Sequence, residues 1–172
     1  GKISLMNKNY KKLAVAFSGP SNSGKTTLVV NVSNILNQKG YKVCIVKHDP
    51  KDKAIFDREG KDSDKFTKTG ANVAVVSPSR TTLFKQETST IDEMIELFGD
   101  FDYLLVEGLK TLPLPRISVF RNKLDESYFP VTNAIAHDST ISADDIPNNI
   151  EKLDLNNPEE IISWIEKNAK RV

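Results

Sequence analysis

Residues 19–26 read Gly-Pro-Ser-Asn-Ser-Gly-Lys-Thr and fit the pattern G-x-x-x-x-G-K-[ST] at every fixed position. The chemistry of such a loop is anion capture. An apolar run over 13–17 precedes it and a helical pattern follows, so successive backbone N–H groups and the helix N-terminus converge on one point. Gly19 and Gly24 spare the loop two Cβ atoms and let its backbone curl close to phosphate, with Ser21, Asn22, Ser23, Gly24, Lys25, Thr26 and Thr27 around the anion. Lys25 would meet the β and γ oxygens, and the Thr26 hydroxyl would ligate Mg²⁺. The same pattern also occurs in ordinary turns. Its place between strand and helix points instead to the β-phosphate of a nucleoside triphosphate.

A magnesium ion in such a loop usually takes a carboxylate from beyond a neighbouring strand. Asp49 follows the run 43–46 in VKHDP, and Glu107 follows the run 103–106 in LLVEGLK. Either could be an ordinary solvent-facing charge; Glu107, directly after four apolar residues and before Gly108, is the stronger metal carboxylate. Asp49 or His48 would place the attacking water, with Lys25 neutralising charge on the phosphates. For the base, Asn122-Lys123-Leu124-Asp125 reads N-K-x-D, a spacing that sets an Asp carboxylate against guanine N1–H and N2–H₂. Adenine offers no donor at N1, and leaving a buried acceptor unpaired costs roughly 1–3 kcal/mol.

These residues need elements to hold them. Short apolar runs at 13–17, 43–46, 73–76, 103–106, 117–120 and 133–136 alternate with helical patterns. Runs of that kind suit strands buried on both faces of a parallel sheet. The first helix starts in the glycine loop, carries Leu28, Val32, Ile35 and Leu36 on one face, and stops at Gly40. A second opens on a Thr90/Glu93 capping box and buries Ile91, Met94, Ile95 and Phe98. The last opens at Asn157-Pro158, docks through Ile161, Ile162, Trp164 and Ile165, and sets Lys167, Lys170 and Arg171 in its negative last turn. The fold class is α/β: a three-layer P-loop NTPase fold with a mostly parallel sheet and some antiparallel pairing near 81–85. The expectation is one nucleotide-binding domain over residues 1–172, with 1–12 as an N-terminal extension. Residues 48–65, dense in charge, interrupt the alternation where α/β sheets bind ligands.

Composition narrows the classes further. Lys plus Arg number 24 and Asp plus Glu 23, a net charge of +1, which argues against a duplex nucleic-acid partner. No apolar stretch approaches the ~20 residues that span a bilayer, and no signal segment opens the chain, so the expected location is cytoplasmic. Cys44 is the only cysteine and lies in an apolar run; it reads as a buried, inert thiol.

The order and spacing of several pieces resemble the molybdopterin-guanine dinucleotide biosynthesis adaptor proteins of the MobB family. The pieces are FSGPSNSGKTTL, VKHD, GKDS, Gly70-Ala71 before VAVVS, DYLLVEGLK and PRISVFR, covering residues 13–121, with NAIAHDS and a helix after them. The resemblance implies a P-loop protein that binds GTP with Mg²⁺, hydrolyses it slowly, forms a homodimer and assists the guanylyltransferase that attaches GMP to molybdopterin, with molybdopterin itself a further candidate ligand. Residue by residue it implies Gly24, Lys25, Thr26 and Thr27 as phosphate loop, Lys47-His48 as the pair after the second strand, Lys61-Asp62-Ser63 as the GKDS stretch, and Glu107-Gly108 as the acidic strand end. It also sets Asp138, after NAIAH, against Asp125 as the base reader, since family members do not generally carry N-K-x-D at 122–125. Many members have further histidines after the Lys-His pair; this chain has Asp49-Pro50-Lys51-Asp52 there, so a histidine metal cluster loses support. Arg80 could reach a base or a partner's substrate, or be plain surface. The alternatives are an ATP-dependent small-molecule kinase, a metallocentre-assembly GTPase chaperone, for which Cys and His are scarce, and a scaffold that binds nucleotide without turnover.

Overall fold

The computed structural model describes residues 9–172; the first eight residues of the N-terminal extension lie outside the described residues. In chain order the elements are β1 (Leu13–Ser18), α1 (Lys25–Gln38), β2 (Val43–Lys47), α2 (Asp62–Thr67), β3 (Val73–Val76), β4 (Thr81–Phe84), α3 (Ile91–Phe98), β5 (Tyr103–Glu107), β6 (Arg116–Phe120), β7 (Ala134–His137), β8 (Glu151–Asp154), α4 (Pro158–Asn168) and β9 (Lys170–Arg171). Single 3₁₀ turns lie at Glu126–Val131 and Ala143–Asp145. Contacts divide the chain into two compact units, one running to His48 and resuming at Phe98, the other Asp49–Leu97.

The first unit is built on a sheet ordered β2-β5-β1-β6-β7-β8, all parallel along that path. Side chains alternate between faces along a strand, so Val15, Phe17, Tyr103, Leu105, Ile117 and Val119 share one face. There they meet Leu28, Val29, Val32 and Leu36 of α1 and Ile161, Ile162, Trp164 and Ile165 of α4. On β6 and β7 the other parity, Phe120 and Ile135, packs with Ile141, Ile146 and Ile150. Helix α1 ends as its sequence dictates: Gly40 takes φ +88° and donates to Asn37 O, and Tyr41 N–H closes on Leu36 O. At α4 the Asn157 side chain accepts from Glu160 N–H and Pro158 occupies the first turn. Lys170 and Arg171 do not belong to the last turn of α4 as the dipole argument expected. The helix stops at Asn168, and these two residues form β9, antiparallel to Leu13 and Ala14 of β1.

The second unit departs from expectation in three places. VAVV, read as a strand of the parallel sheet, instead forms a two-stranded antiparallel hairpin with β4, from Val73↔Phe84 to Val76↔Thr81. The charged stretch runs into a helix, α2, whose first turn carries Asp62 and Asp64 and beside which the Asp64–Lys68 pair closes at 3.1 Å. The Thr90/Glu93 capping box forms with both reciprocal bonds, 3.1 and 3.0 Å, yet Ile91, Met94 and Ile95 are only half-buried. No residue of 49–97 is fully buried, and Val75, Val76, Leu83 and Leu97 are exposed.

Candidate functional site

The glycine loop leaves β1 at Ser18 and enters α1 at Lys25. Gly24 caps the helix at φ +91°, a conformation that favours glycine, and Asn22 precedes it at φ +62°. Gly19 is required by its packing as well. A Cβ there would lie 2.6 Å from the Val119 carbonyl oxygen, so the missing side chain lets the loop pass β6. None of the backbone N–H groups from Gly24 to Thr27 donates to another described residue; Leu28 N–H, bonded to Gly24 O, is the first that does. The Ser23 side chain is buried and its Oγ has no partner among the described residues. Unpaired donors around a hollow of about 400 Å³ are the signature of an anion site.

That hollow is lined by Pro20 to Thr27 together with Lys47, Glu107 and Arg121. Lys25 does not face the surface: its side chain is 18% exposed, donates to Gly19 O at 3.0 Å and pairs with Glu107 at 3.3 Å. Glu107 therefore stands beside the loop, because β5 pairs with β1 in register Phe17↔Glu107. Lys47 pairs with Glu107 across the next ladder, and His48 N–H donates to Glu107 O at 3.0 Å. The His48 side chain lies over Gly108, where an added Cβ would come within 3.2 Å of its Cβ. Thr26 and Thr27 are exposed in the first turn of α1. Asp49 opens the second unit and accepts from Ala54 N–H at 2.8 Å; Arg80 closes the turn of the β3–β4 hairpin, accepting from Ser77 N–H. No three His, Cys, Asp or Glu side chains cluster as a metal site among the described residues. Burial pushes the Cys44 thiol up, as an inert core cysteine requires.

The two aspartates compared as base readers occupy unlike places. Asp125 caps the 3₁₀ turn Glu126–Val131, its carboxylate accepting from Ser127 N–H and Oγ; those bonds hold its pKa low, with Lys110 and Lys123 as lesser causes. Asp138 follows β7 and accepts from the Thr140 hydroxyl and N–H; these bonds, with Arg121 among the lesser causes, hold it low too. β7 lies two strands from β1, about 10 Å at ordinary strand spacing. Asp138 also lines a second hollow, of about 500 Å³, with His137, Lys152, Asp154 and Asn156.

Two arginines carry more of this architecture than their sequence context announced. Arg116 is fully buried and donates to Ser18 Oγ (2.7 Å) and to the carbonyls of Gly108 (2.7 Å), Leu109 (2.6 Å) and Leu112 (3.2 Å). It ties the loop's entry to the segment after Glu107. Arg121, the next residue after β6, donates to Asn22 O at 3.0 Å. Both stand in PRISVFR, but nothing local marks one as buried and the other as part of the phosphate hollow. The only sequence signal was their position at the ends of an apolar run, one at each side of it.

The family model MobB, molybdopterin guanine dinucleotide synthesis protein B, matches residues 14–140. The chain is 28% identical over 166 residues to the Escherichia coli K12 molybdopterin-guanine dinucleotide biosynthesis adapter protein, covering 89% of this chain and 93% of that protein. It is also 28% identical over 111 residues to a Methanocaldococcus jannaschii relative, across 61% of this chain, but spans only 46% of that protein's length. A crystal structure of molybdopterin-guanine biosynthesis protein B superposes with a TM-score of 0.70 at 23% identity, over 90% of this chain and 99% of that one, a likeness of fold. No helix among the described residues is long and apolar enough to cross a membrane. With a family model running from β1 past the end of β7 and its glycine loop intact, the chain belongs to the MobB family.

Proposed function

We propose that the chain binds GTP with Mg²⁺, hydrolyses it slowly, and serves as adapter to the guanylyltransferase that attaches GMP to molybdopterin in molybdopterin-guanine dinucleotide synthesis. The observation that carries the nucleotide reading is the ring of undonated amides from Gly24 to Thr27 over the unpartnered Ser23 hydroxyl, beside the Lys25–Glu107 pair. Lys25 and Lys47 face one carboxylate there, a positive balance suited to a polyphosphate, and Arg121 lines the same hollow. Thr26 and Glu107 are the residues that would hold Mg²⁺, since that ion needs only one or two protein oxygens when phosphates supply others. Bound there, it would neutralise charge on the β and γ oxygens. The adapter role of the Escherichia coli relative in molybdopterin-guanine dinucleotide biosynthesis supplies the pathway.

Calorimetric titration should show GTP bound and ATP not, and phosphate release should be slow alone and faster with the guanylyltransferase. Preference for ATP would overturn this reading. Asp138 is the base reader in this proposal, because it follows β7 on the side of the glycine loop away from the Lys25–Glu107 pair, and its carboxylate feels the Arg121 charge. Asp138→Asn should exchange guanine for xanthine preference, read as a gain in xanthosine triphosphate binding, and Asp125→Asn should not. A gain in the second variant alone would reverse the assignment.

Self-association belongs to the same proposal. The second unit has no buried residue, and Val76 is 75% and Leu97 60% exposed, apolar surface that a homodimer would cover.

A further inference from the structure

We infer that Arg121 is the platform on which the purine ring stacks, a nucleoside-side contact rather than an arginine aimed at the γ-phosphate. This rests on the nucleotide reading above. The sheet order places Glu107 and its partner Lys25 on the β5 flank of β1, and Arg121 on the opposite flank at the end of β6. A phosphate tail that ends at Lys25 and Glu107 therefore has its nucleoside on the Arg121 side, toward Asp138 just after β7, whose carboxylate feels the Arg121 charge.

The guanidinium is also held the way a stacking surface must be. One edge donates to Asn22 O at 3.0 Å. The space a Gly24 side chain would take is bounded by Arg121 Cζ at 3.5 Å and Nε at 3.6 Å, and by Leu155 Cδ2 at 3.5 Å. These are ordinary van der Waals distances, so a Cβ there would touch the guanidinium without crowding it, and the guanidinium lies beside the start of α1. Among the described residues no carboxylate forms an ion pair with Arg121, and its side chain is exposed. A planar cation held at its edge by a carbonyl, next to the helix start and open to solvent, suits an aromatic ring in a way that a lysine does not. Asp138 would then read the edge of a ring whose plane Arg121 sets.

The test is a competition series against a fluorescent GDP analogue, using guanosine, GMP, GDP, a non-hydrolysable GTP analogue and inorganic triphosphate. Arg121→Ala should weaken guanosine, GMP, GDP and the analogue by a common factor of about tenfold, the size of a partly desolvated cation–π contact. Arg121→Lys keeps the charge and loses the plane. It should lose the same factor for guanosine while holding inorganic triphosphate as the wild type does, a split that a merely loosened phosphate loop would not produce. Losses confined to GDP and the GTP analogue, with guanosine unmoved, would overturn the assignment in favour of a phosphate contact. So would variants indistinguishable from wild type. A wild-type chain that binds none of the nucleotides would instead overturn the reading of the whole site, and this assignment with it.

Discussion

Lys25→Ala is expected to weaken GTP binding on the order of a hundredfold, about 3 kcal/mol, the value of charge-assisted hydrogen bonds lost in a partly dry site. The geometry explains why the loss should be large. The lysine stem folds back over the loop, so the ammonium is anchored by Gly19 O and aimed across the hollow, where it pairs with Glu107. Nucleotide does not need to recruit a flexible side chain from solvent; it takes over an ammonium already in place, and little rotamer entropy is lost on binding. The alanine variant has a second consequence, since Glu107 is only 16% exposed and would be left without its cation beside the incoming phosphates. Lys25→Met keeps most of the stem's packing and so separates charge from volume. Calorimetry with GTP and GDP on both variants, beside thermal melts of the free proteins, checks the expectation. Unchanged GTP affinity with intact folding would mean that the loop serves something other than a triphosphate.

The glycine loop was legible because its requirements are local: a strand end, glycine at the helix cap, and a lysine and threonine in the first turn. Helix α1 and the Asn157 cap of α4 were legible for the same reason. What failed was non-local. A four-residue apolar run such as VAVV reads the same whether its neighbour is a central parallel strand or the other arm of a hairpin, and β3 proved to be the second. Lys170 and Arg171 satisfied a helix-dipole argument, yet the strand edge of β1 at Leu13 and Ala14 offered them backbone partners. The choice between Asp125 and Asp138 was not legible either, because sheet order cannot be counted off along the chain: β6 lies beside β1 and β7 one strand further out. N-K-x-D at 122–125 matched a familiar spacing, and in the structure the Asp125 carboxylate accepts from Ser127 as that of Asp138 accepts from Thr140, so local bonds do not separate the two. Arg121 and Arg116 were the least legible, because Arg121 acts through the carbonyl of distant Asn22, and Arg116 joins the hydroxyl of distant Ser18 to the carbonyls of a nearby turn.

Arg116 is where the other large effect is expected. Its guanidinium is 0% exposed and satisfied by one hydroxyl and three carbonyls; among the described residues no carboxylate balances it. Burial without a counter-ion pushes its pKa down from the usual arginine value, so the neutral partners stabilise the cation at a real desolvation cost. Arg116→Met removes that cost but leaves the acceptors of the 108–112 segment without donors, at roughly 1–3 kcal/mol for each that water cannot reach. A net loss of about 3–5 kcal/mol is expected, a large part of the 5–15 kcal/mol that holds a typical domain together. It is measured as a lowered urea midpoint at constant slope. Arg116→Lys keeps the charge but cannot span the four acceptors, and it should fall between the two. Where the lysine variant still folds, GTP affinity should drop although residue 116 never touches nucleotide, because Ser18 leads into Gly19 and Gly108 follows Glu107. A methionine variant as stable as wild type would show that water satisfies those carbonyls unaided, and that the loop's position beside Glu107 is set by the β1–β5 ladder alone.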